Sequence, residues 1–310
     1  MPKFLITVGI PFFNAQDTLL EAVRSIFAQT FNEWELILVD DGSTDGSIDI
    51  ARSIDDPRVR LLPPDGRNLR LAARLNQISQ AARGEYISRM DADDLSHPER
   101  FSRQLGFLKD HPEVNVLGTC VCMFDKNYEP VSKLVVQEHH NEILKNKFDG
   151  ISIAHPTIMA KAEWFRKWPY DEQNSIRCED FELWLRSSRQ SVFANIGEPL
   201  YFYSELISST LAKYTKSKQS AAKVIWRYAP MEIGLLKASY QVWKKYLDII
   251  IFASAGFTGL RDLAIKKRKS YHSLSPEEHL KLVTALNIIR RTEVPIRSSE
   301  RKGKEYAIDT

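Results

Sequence analysis

The chain has 310 residues, 43% of them hydrophobic, with a formal net charge of +3. That allows a sizeable core in one large domain, or in one domain with an appendage. Three cysteines (Cys120, Cys122, Cys178) make neither an even disulfide framework nor a zinc-ligand spacing, so a reducing compartment and small buried thiols are expected.

Lys3 runs directly into an apolar segment without a cleavage-site pattern, and no window reaches the ~20 apolar residues of a membrane span. A cytoplasmic protein is expected. The net charge conceals a split. Residues 211–310 hold 20 Lys+Arg against 9 Asp+Glu, a net +11, and residues 1–210 hold 23 against 31, a net −8. A basic tail suits an anionic surface or a solvated helical face. No interleaving of basic and aromatic residues accompanies it, which argues against nucleic acid.

In chain order, strands are expected over Phe4–Ile10, Glu35–Val39, Val59–Leu62, Tyr86–Met90 and Val114–Val121. Helices are expected between them over Thr18–Gln29, with Leu19, Ala22, Val23 and Ile26 at helical spacing, and over Ser47–Ser53, Leu71–Ala82 and Pro98–Lys109. Pro98 suits the first helical position, where a missing N–H costs nothing. This alternation predicts right-handed βαβ units and a mainly parallel sheet, with ligands at the carboxyl ends of the strands. Further on, Ile158–Ala160 reads as a strand, Asp180–Arg189 as a helix, and Val192–Ile196 and Leu200–Tyr203 as edge strands. Beyond residue 211 the chain turns helical and basic. Ser275-Pro276-Glu277-Glu278 is a capping box opening a helix toward Arg291, which Pro295 ends, and residues 296–310 read as a polar tail.

Three strand ends carry the chemistry. The first is Pro11-Phe12-Phe13-Asn14, the second Asp40-Asp41-Gly42-Ser43, and the third Asp91-Ala92-Asp93-Asp94. Three carboxylates within four positions at a strand end suit a hard divalent cation, Mg²⁺ or Mn²⁺, which bridges carboxylate and phosphate oxygens. A nucleotide fits these ends: a base near Phe12 and Phe13, Asp41 accepting from a base or ribose donor, and a diphosphate at a cation held by Asp93. Arg70 could meet a phosphate bidentately or lie solvated among Arg67 and Arg74.

These segments, with Leu75-Asn76, Gly84 to Asp94, His155-Pro156-Thr157 and Cys178-Glu179-Asp180-Phe181-Glu182-Leu183-Trp184, resemble the family-2 glycosyltransferases of GT-A fold, over roughly residues 4–204. The likeness is to bacterial enzymes that build capsule, exopolysaccharide or O-antigen repeats. It implies a Rossmann-like α/β catalytic domain over 1–210 and a basic, mostly helical extension over 211–310. It implies Pro11, Phe12, Phe13, Asn14, Asp41, Arg70, Asn76, Asp91 and Ala92 along the donor, Asp91 and Asp93 at the metal, and Asp180 as the catalytic base. Glu179, His155 and Trp184 would lie toward the acceptor. The chain departs from the usual pattern at Asn68-Leu69-Arg70-Leu71, where many relatives carry glycine.

The expected reaction is inverting transfer from a nucleotide sugar, UDP-linked by family habit, to a saccharide hydroxyl on a lipid carrier. The cation stabilises the departing diphosphate, and a carboxylate across the sugar takes the acceptor proton. Asp93 and Asp180 are therefore expected on either side of one bound sugar. Alternatives stay open at single positions. An acidic pair at a helix start is favoured by the helix dipole alone, Trp184 suits a core, and His155 suits a buried loop. A sugar nucleotidyltransferase would want a basic, glycine-rich loop where Pro11-Phe12-Phe13-Asn14 stands, and a non-catalytic nucleotide-sugar binder would not need Asp180. Finally, Lys244-Lys245, the apolar run to Phe257, and the basic run to Lys269 suit a helix lying on the inner face of an anionic membrane, or packing on a second subunit.

Overall fold

A computed structural model of the chain describes residues 4–174, 177–204, 210–257 and 271–297. Strands β1 (Ile6–Phe12), β2 (Trp34–Asp40), β3 (Val59–Leu61) and β4 (Tyr86–Arg89) alternate with helices α1 (Leu19–Phe27), α2 (Ser47–Ser53) and α3 (Arg70–Ala81). The four strands run parallel in the order β4-β1-β2-β3, with Ile6 opposite Trp34 and Phe12 opposite Asp40. Every residue of β1 and β2 is buried. A sheet covered on both faces explains their near-continuous apolar runs. Leu19, Ala22, Val23 and Ile26 face the core from α1, as their spacing predicts.

The second half makes the sheet mixed. It holds β5 (Leu95–Ser96), α4 (Arg100–Asp110), β6 (Val116–Phe124), β7 (Pro130–Leu134), α5 (His140–Leu144), β8 (Met159–Lys161), α6 (Ala162–Lys167), α7 (Glu179–Ser187) and β9 (Phe193–Ser204). Strand β8 lies antiparallel between β4 and β6, and β9 runs parallel to β6. Helix α4 begins two residues after Pro98, not at it. The Pro98 carbonyl instead accepts from Thr30 N, while Arg100 N donates to the His97 carbonyl. The two expected edge strands are one strand, β9, flanked by both β6 and β5. Its register slips opposite Thr119 to Val121, a bulge that absorbs Pro199, which has no N–H for the ladder.

The chain beyond residue 210 forms α8 (Leu211–Ile233), α9 (Leu235–Phe257), β10 (Tyr271–His272) and α10 (Pro276–Arg291). Its last part completes the body. Strand β10 pairs with β7, and Leu282, Ala285, Leu286 and Ile289 of α10 pack with Leu95, Phe124 and Phe202. The capping box of Ser275 and Glu278 is present at the start of α10. All three cysteines are free and buried. No helix among the described residues is long and apolar enough to cross a membrane. Arg261, the basic run 266–269 and residues 298–310 lie outside the described residues.

Candidate functional site

The carboxyl ends of β4, β1 and β2 lie along one sheet edge because these strands are parallel and in register. The loops after β1 and β2 are tied together across about thirty residues of sequence. Asn14 N donates to Ser43 Oγ at 3.0 Å, and Thr44 N donates to Asn14 Oδ1 at 2.8 Å. Ala15 N donates to Ser47 Oγ, and Gly46 N to Gln16 Oε1. Asp40 accepts from Gly42 N and Ser43 N. Asn14, at φ 48°, occupies the left-handed region that asparagine tolerates. Its side chain is thus a latch between loops. Phe12 points into the core at 2% exposure, and Phe13 alone of the aromatic pair stands out at 49%.

Asp91, Asp93 and Asp94 bring carboxylate oxygens within 4.8 Å of one another. They differ in surroundings. Asp94 is buried, accepting from Tyr201 OH at 2.8 Å and from Ser204 N at 3.0 Å. Burial and the neighbouring charges of Asp91 and Asp93 hold its carboxyl well above the usual range. Asp91 pairs with Arg89. Asp93 is exposed at the mouth, and partial desolvation beside Asp91 raises its carboxyl too. With Asp94 engaged, Asp91 and Asp93 are the oxygen donors that fit a hard divalent cation. They line a cavity of about 380 Å³ with Pro11 to Ala15, Ala92 and Ser204.

Asp41 opens onto a second cavity, of about 370 Å³, with Arg70, Leu71, Arg177 and Glu179. Its carboxylate already accepts from Leu69 N, Arg70 N and Arg74 Nε. Arg74, which the sequence leaves among solvated arginines, is buried and also bonds Asp65 and Gln77. Hydrogen bonds from Arg74 hold the Asp65 carboxyl well below its usual range. Arg70 sits at φ 73°, the left-handed conformation in which glycine is at ease. The loop keeps a glycine-like backbone while an exposed arginine occupies it. Asn76 is spent on structure. It donates to the Tyr170 carbonyl and Glu172 Oε1 and accepts from Tyr170 N.

Glu179 and Asp180 stand at the start of α7, half-buried. Burial, then the charge of Asp180, pushes Glu179 up to about 7. Burial also raises Asp180, against a 2.7 Å hydrogen bond from Phe181 N. Behind them His155 Nε2 lies 2.8 Å from Tyr170 OH, buried, with its ring edge-on to Trp184. Burial, and the Arg89 charge after it, lower the His155 pKa well below the usual value, so the ring is neutral. Trp184 is 2% exposed and packs with Trp164 and Phe193. Trp184 is a core member, and His155 is a buried polar residue beside it.

Asp93 lines the first of these cavities, and Asp180 lines another, of about 320 Å³, with Cys178, Trp184, Lys218 and Lys245. What connects the two carboxylates is charge. The Arg89–Asp91 pair acts electrostatically on Asp93, on Glu179 and on Asp180. Arg89 is the residue that sequence reasoning missed. Its charge at the end of a short strand, two positions before Asp91, was the available signal.

Residues 7–167 match the family model described as Glycosyl transferase family 2. EpsE of Bacillus subtilis, which bears a glycosyltransferase name, is 36% identical over 206 residues, covering 64% of this chain and 72% of its own. The amylovoran biosynthesis glycosyltransferase AmsE of Erwinia amylovora is 26% identical over 75% of this chain and 85% of its own. Among solved structures, S. aureus TarS 1–349 in complex with UDP-GlcNAc superposes with a TM-score of 0.58 at 17% identity, over 94% of this chain and 82% of that one. The mannosyltransferase PcManGT of Pyrobaculum calidifontis, in complex with GDP-Man and Mn²⁺, gives 0.55 at 16% identity, over 93% and 87%. The family model spans just over half of the chain, the sheet is the α/β arrangement of these GT-A structures, and the chain belongs to glycosyl transferase family 2, as a glycosyltransferase enzyme.

Proposed function

We propose that the chain is an inverting glycosyltransferase that moves a sugar from a UDP-linked donor to a hydroxyl of a saccharide acceptor, carried on a lipid, in bacterial surface-polysaccharide synthesis at the cytoplasmic face of the membrane. The observation that carries this reading is the cluster of Asp91, Asp93 and Asp94 after β4, whose carboxylate oxygens lie within 4.8 Å of one another, with Asp91 held by its ion pair to Arg89. The donor diphosphate would lie on the Asp93 side of that pair and the acceptor hydroxyl on the Asp180 side. The names of AmsE and TarS's bound UDP-GlcNAc support the pathway and the donor class.

Each residue has a proposed task. Asp91 and Asp93 would hold Mn²⁺ or Mg²⁺, which when bound neutralises charge on the departing diphosphate. The exposed Arg70 guanidinium would meet donor phosphate from the neighbouring cavity. Asp41 and Asn76 would act by shaping that cavity, since their polar atoms are spent on Arg74, Leu69, Arg70, Tyr170 and Glu172. Pro11, Phe13, Asn14 and Ala92 would form the wall beside the donor. Asp180 would take the acceptor proton, and its raised pKa brings it nearer to the range where a carboxylate base is effective. Domain division at residue 210 would place all of these in the catalytic part.

A thermal-shift panel of UDP- and GDP-sugars, each with and without Mn²⁺, tests the reading. A donor at 100 times its dissociation constant should stabilise the protein by about 2.7 kcal/mol. Protection by nucleoside triphosphate and sugar phosphate together would redirect the assignment to a nucleotidyltransferase. The loop after β1 disfavours that outcome, having no lysine or arginine between Pro11 and Asp17.

A further inference from the structure

Helix α9 has two unlike faces. Ala238, Lys245 and Phe252, seven residues apart, are buried: Ala238 and Lys245 against the body, Phe252 on Tyr214 of α8, and Lys245 lines the cavity that holds Asp180. The opposite face carries Leu236, Tyr240, Trp243, Tyr246, Ile250 and Ile251, all exposed, with Leu236 at 89% and Ile250 at 63%. At 100° per residue these six fall within about two fifths of the helix circumference. Trp226 and Met231 of α8 are exposed as well. So long an apolar stripe on a soluble body marks a contact surface.

We infer that this face docks the enzyme on an anionic lipid bilayer. The surface expected from sequence over residues 244–269 thereby moves toward the chain's start, to 236–251, and its second half lies outside the described residues. Two observations select a bilayer over a second copy of the chain. First, the stripe mixes aliphatic side chains with Tyr240, Trp243 and Tyr246, amphipathic rings suited to headgroup depth. Second, of the eight Lys+Arg in residues 211–257, Lys218, Arg227 and Lys244 are paired and Lys245 is buried, whereas Lys213, Lys216, Lys223 and Lys237 are exposed, and both acids, Glu232 and Asp248, are paired. Two such hairpins face to face would repel, whereas anionic headgroups complement them. The helix lies in the interface and does not span it. Lys245 on the other face then sets the Asp180 cavity about one helix diameter, roughly 10–12 Å, from the lipid. A membrane-borne acceptor would be concentrated beside its base. This inference rests on the proposed lipid-linked acceptor for its purpose, but not for its observation.

The test is co-sedimentation of the full chain with vesicles of phosphatidylglycerol and phosphatidylcholine in equal parts, and with phosphatidylcholine alone. The wild type should bind the anionic vesicles, with a blue shift of tryptophan emission, and bind the neutral ones weakly. A Leu236→Glu, Trp243→Glu, Ile250→Glu triple variant should bind the anionic vesicles at least about tenfold more weakly, with an unchanged melting temperature because all three side chains are exposed. A wild type that stays in the supernatant, or a triple variant that binds as well as wild type, overturns the inference. So does a stable dimer that the triple variant splits while vesicle binding is absent. Failure of the glycosyl-transfer reading would register separately, as a lack of thermal protection by every nucleotide sugar in both proteins.

Discussion

Arg89 and Asp91 form an ion pair two residues apart, and only one side of the arginine is used. Nη2 donates to Asp91 Oδ1, while Nε and Nη1 are buried with no partner among the described residues. The pair therefore costs desolvation that hydrogen bonds do not recover, which points to a role in charge rather than in stability. Replacing Arg89 by Met should change unfolding free energy by less than about 2 kcal/mol, because Asp91 keeps access to water and the unpartnered nitrogens are removed. Losing the cation should raise the pKa values of Asp93 and Asp180. The acid limb of the transfer-rate profile should move to higher pH, and an unmoved limb would remove Arg89 from the site.

Asp180→Asn should lower transfer by roughly 10²–10⁴-fold, the range of a general base, with donor binding nearly intact. Asp93→Ala should do the reverse, abolishing the Mn²⁺-dependent part of donor protection in the thermal-shift panel. Full activity of either variant would count heavily against the proposed roles.

Arg70→Gly separates backbone from side chain. Glycine suits φ 73° without a Cβ penalty, so stability should hold or rise by up to about 1 kcal/mol. Donor affinity should fall by about tenfold if the guanidinium meets phosphate. An unchanged affinity would assign Arg70 to the loop alone.

Glu179 supplies a pH prediction. Its folded pKa of about 7 lies above the ordinary 4.5. Between these values the folded state binds more protons than the unfolded chain, so this carboxyl makes stability fall as pH rises from about 4.5 to about 7. Glu179→Gln should be more stable than wild type at pH 8, on the order of 2–3 kcal/mol, and the advantage should vanish below pH 4.5. Denaturant melts at both pH values measure it, and a pH-independent difference would contradict the shift.

Gly84 has no room for a methyl group. A Cβ there would stand 2.6 Å from Thr7 N and 2.8 Å from the Ile6 carbonyl carbon, both backbone atoms of β1. Gly84→Ala should cost about 1–3 kcal/mol by pushing β4 from β1. Because Asp91 and Asp93 follow β4 directly, donor protection should weaken along with the melting temperature.

The parallel half was legible because its signals are local. Buried strands of seven residues and helices with apolar residues at three-and-four spacing show in any window of the chain. The acidic strand end and the pair at α7 were legible as residue types. What was not legible depended on partners far along the chain. Val192–Ile196 and Leu200–Tyr203 became one strand because β6 and β5 both pair with it. Arg74 became a buried clamp because Asp41 and Asp65 come to it. Asn76 was spent on Tyr170, ninety-four residues away.

By itself the sequence determined the family, the βαβ order, the place of the carboxylates at strand and helix ends, and the buried state of the cysteines, since these follow from composition and short-range pattern. Tertiary structure alone decided which carboxylates remain open. It buried Asp94 under Tyr201 and bound Asp41 to Arg74, and it left Asp93 and Asp180 in separate cavities joined through the field of Arg89 and Asp91. It also turned one face of α9 outward. Burial and electrostatic coupling depend on distance in space, and a linear chain carries that distance only once it has folded.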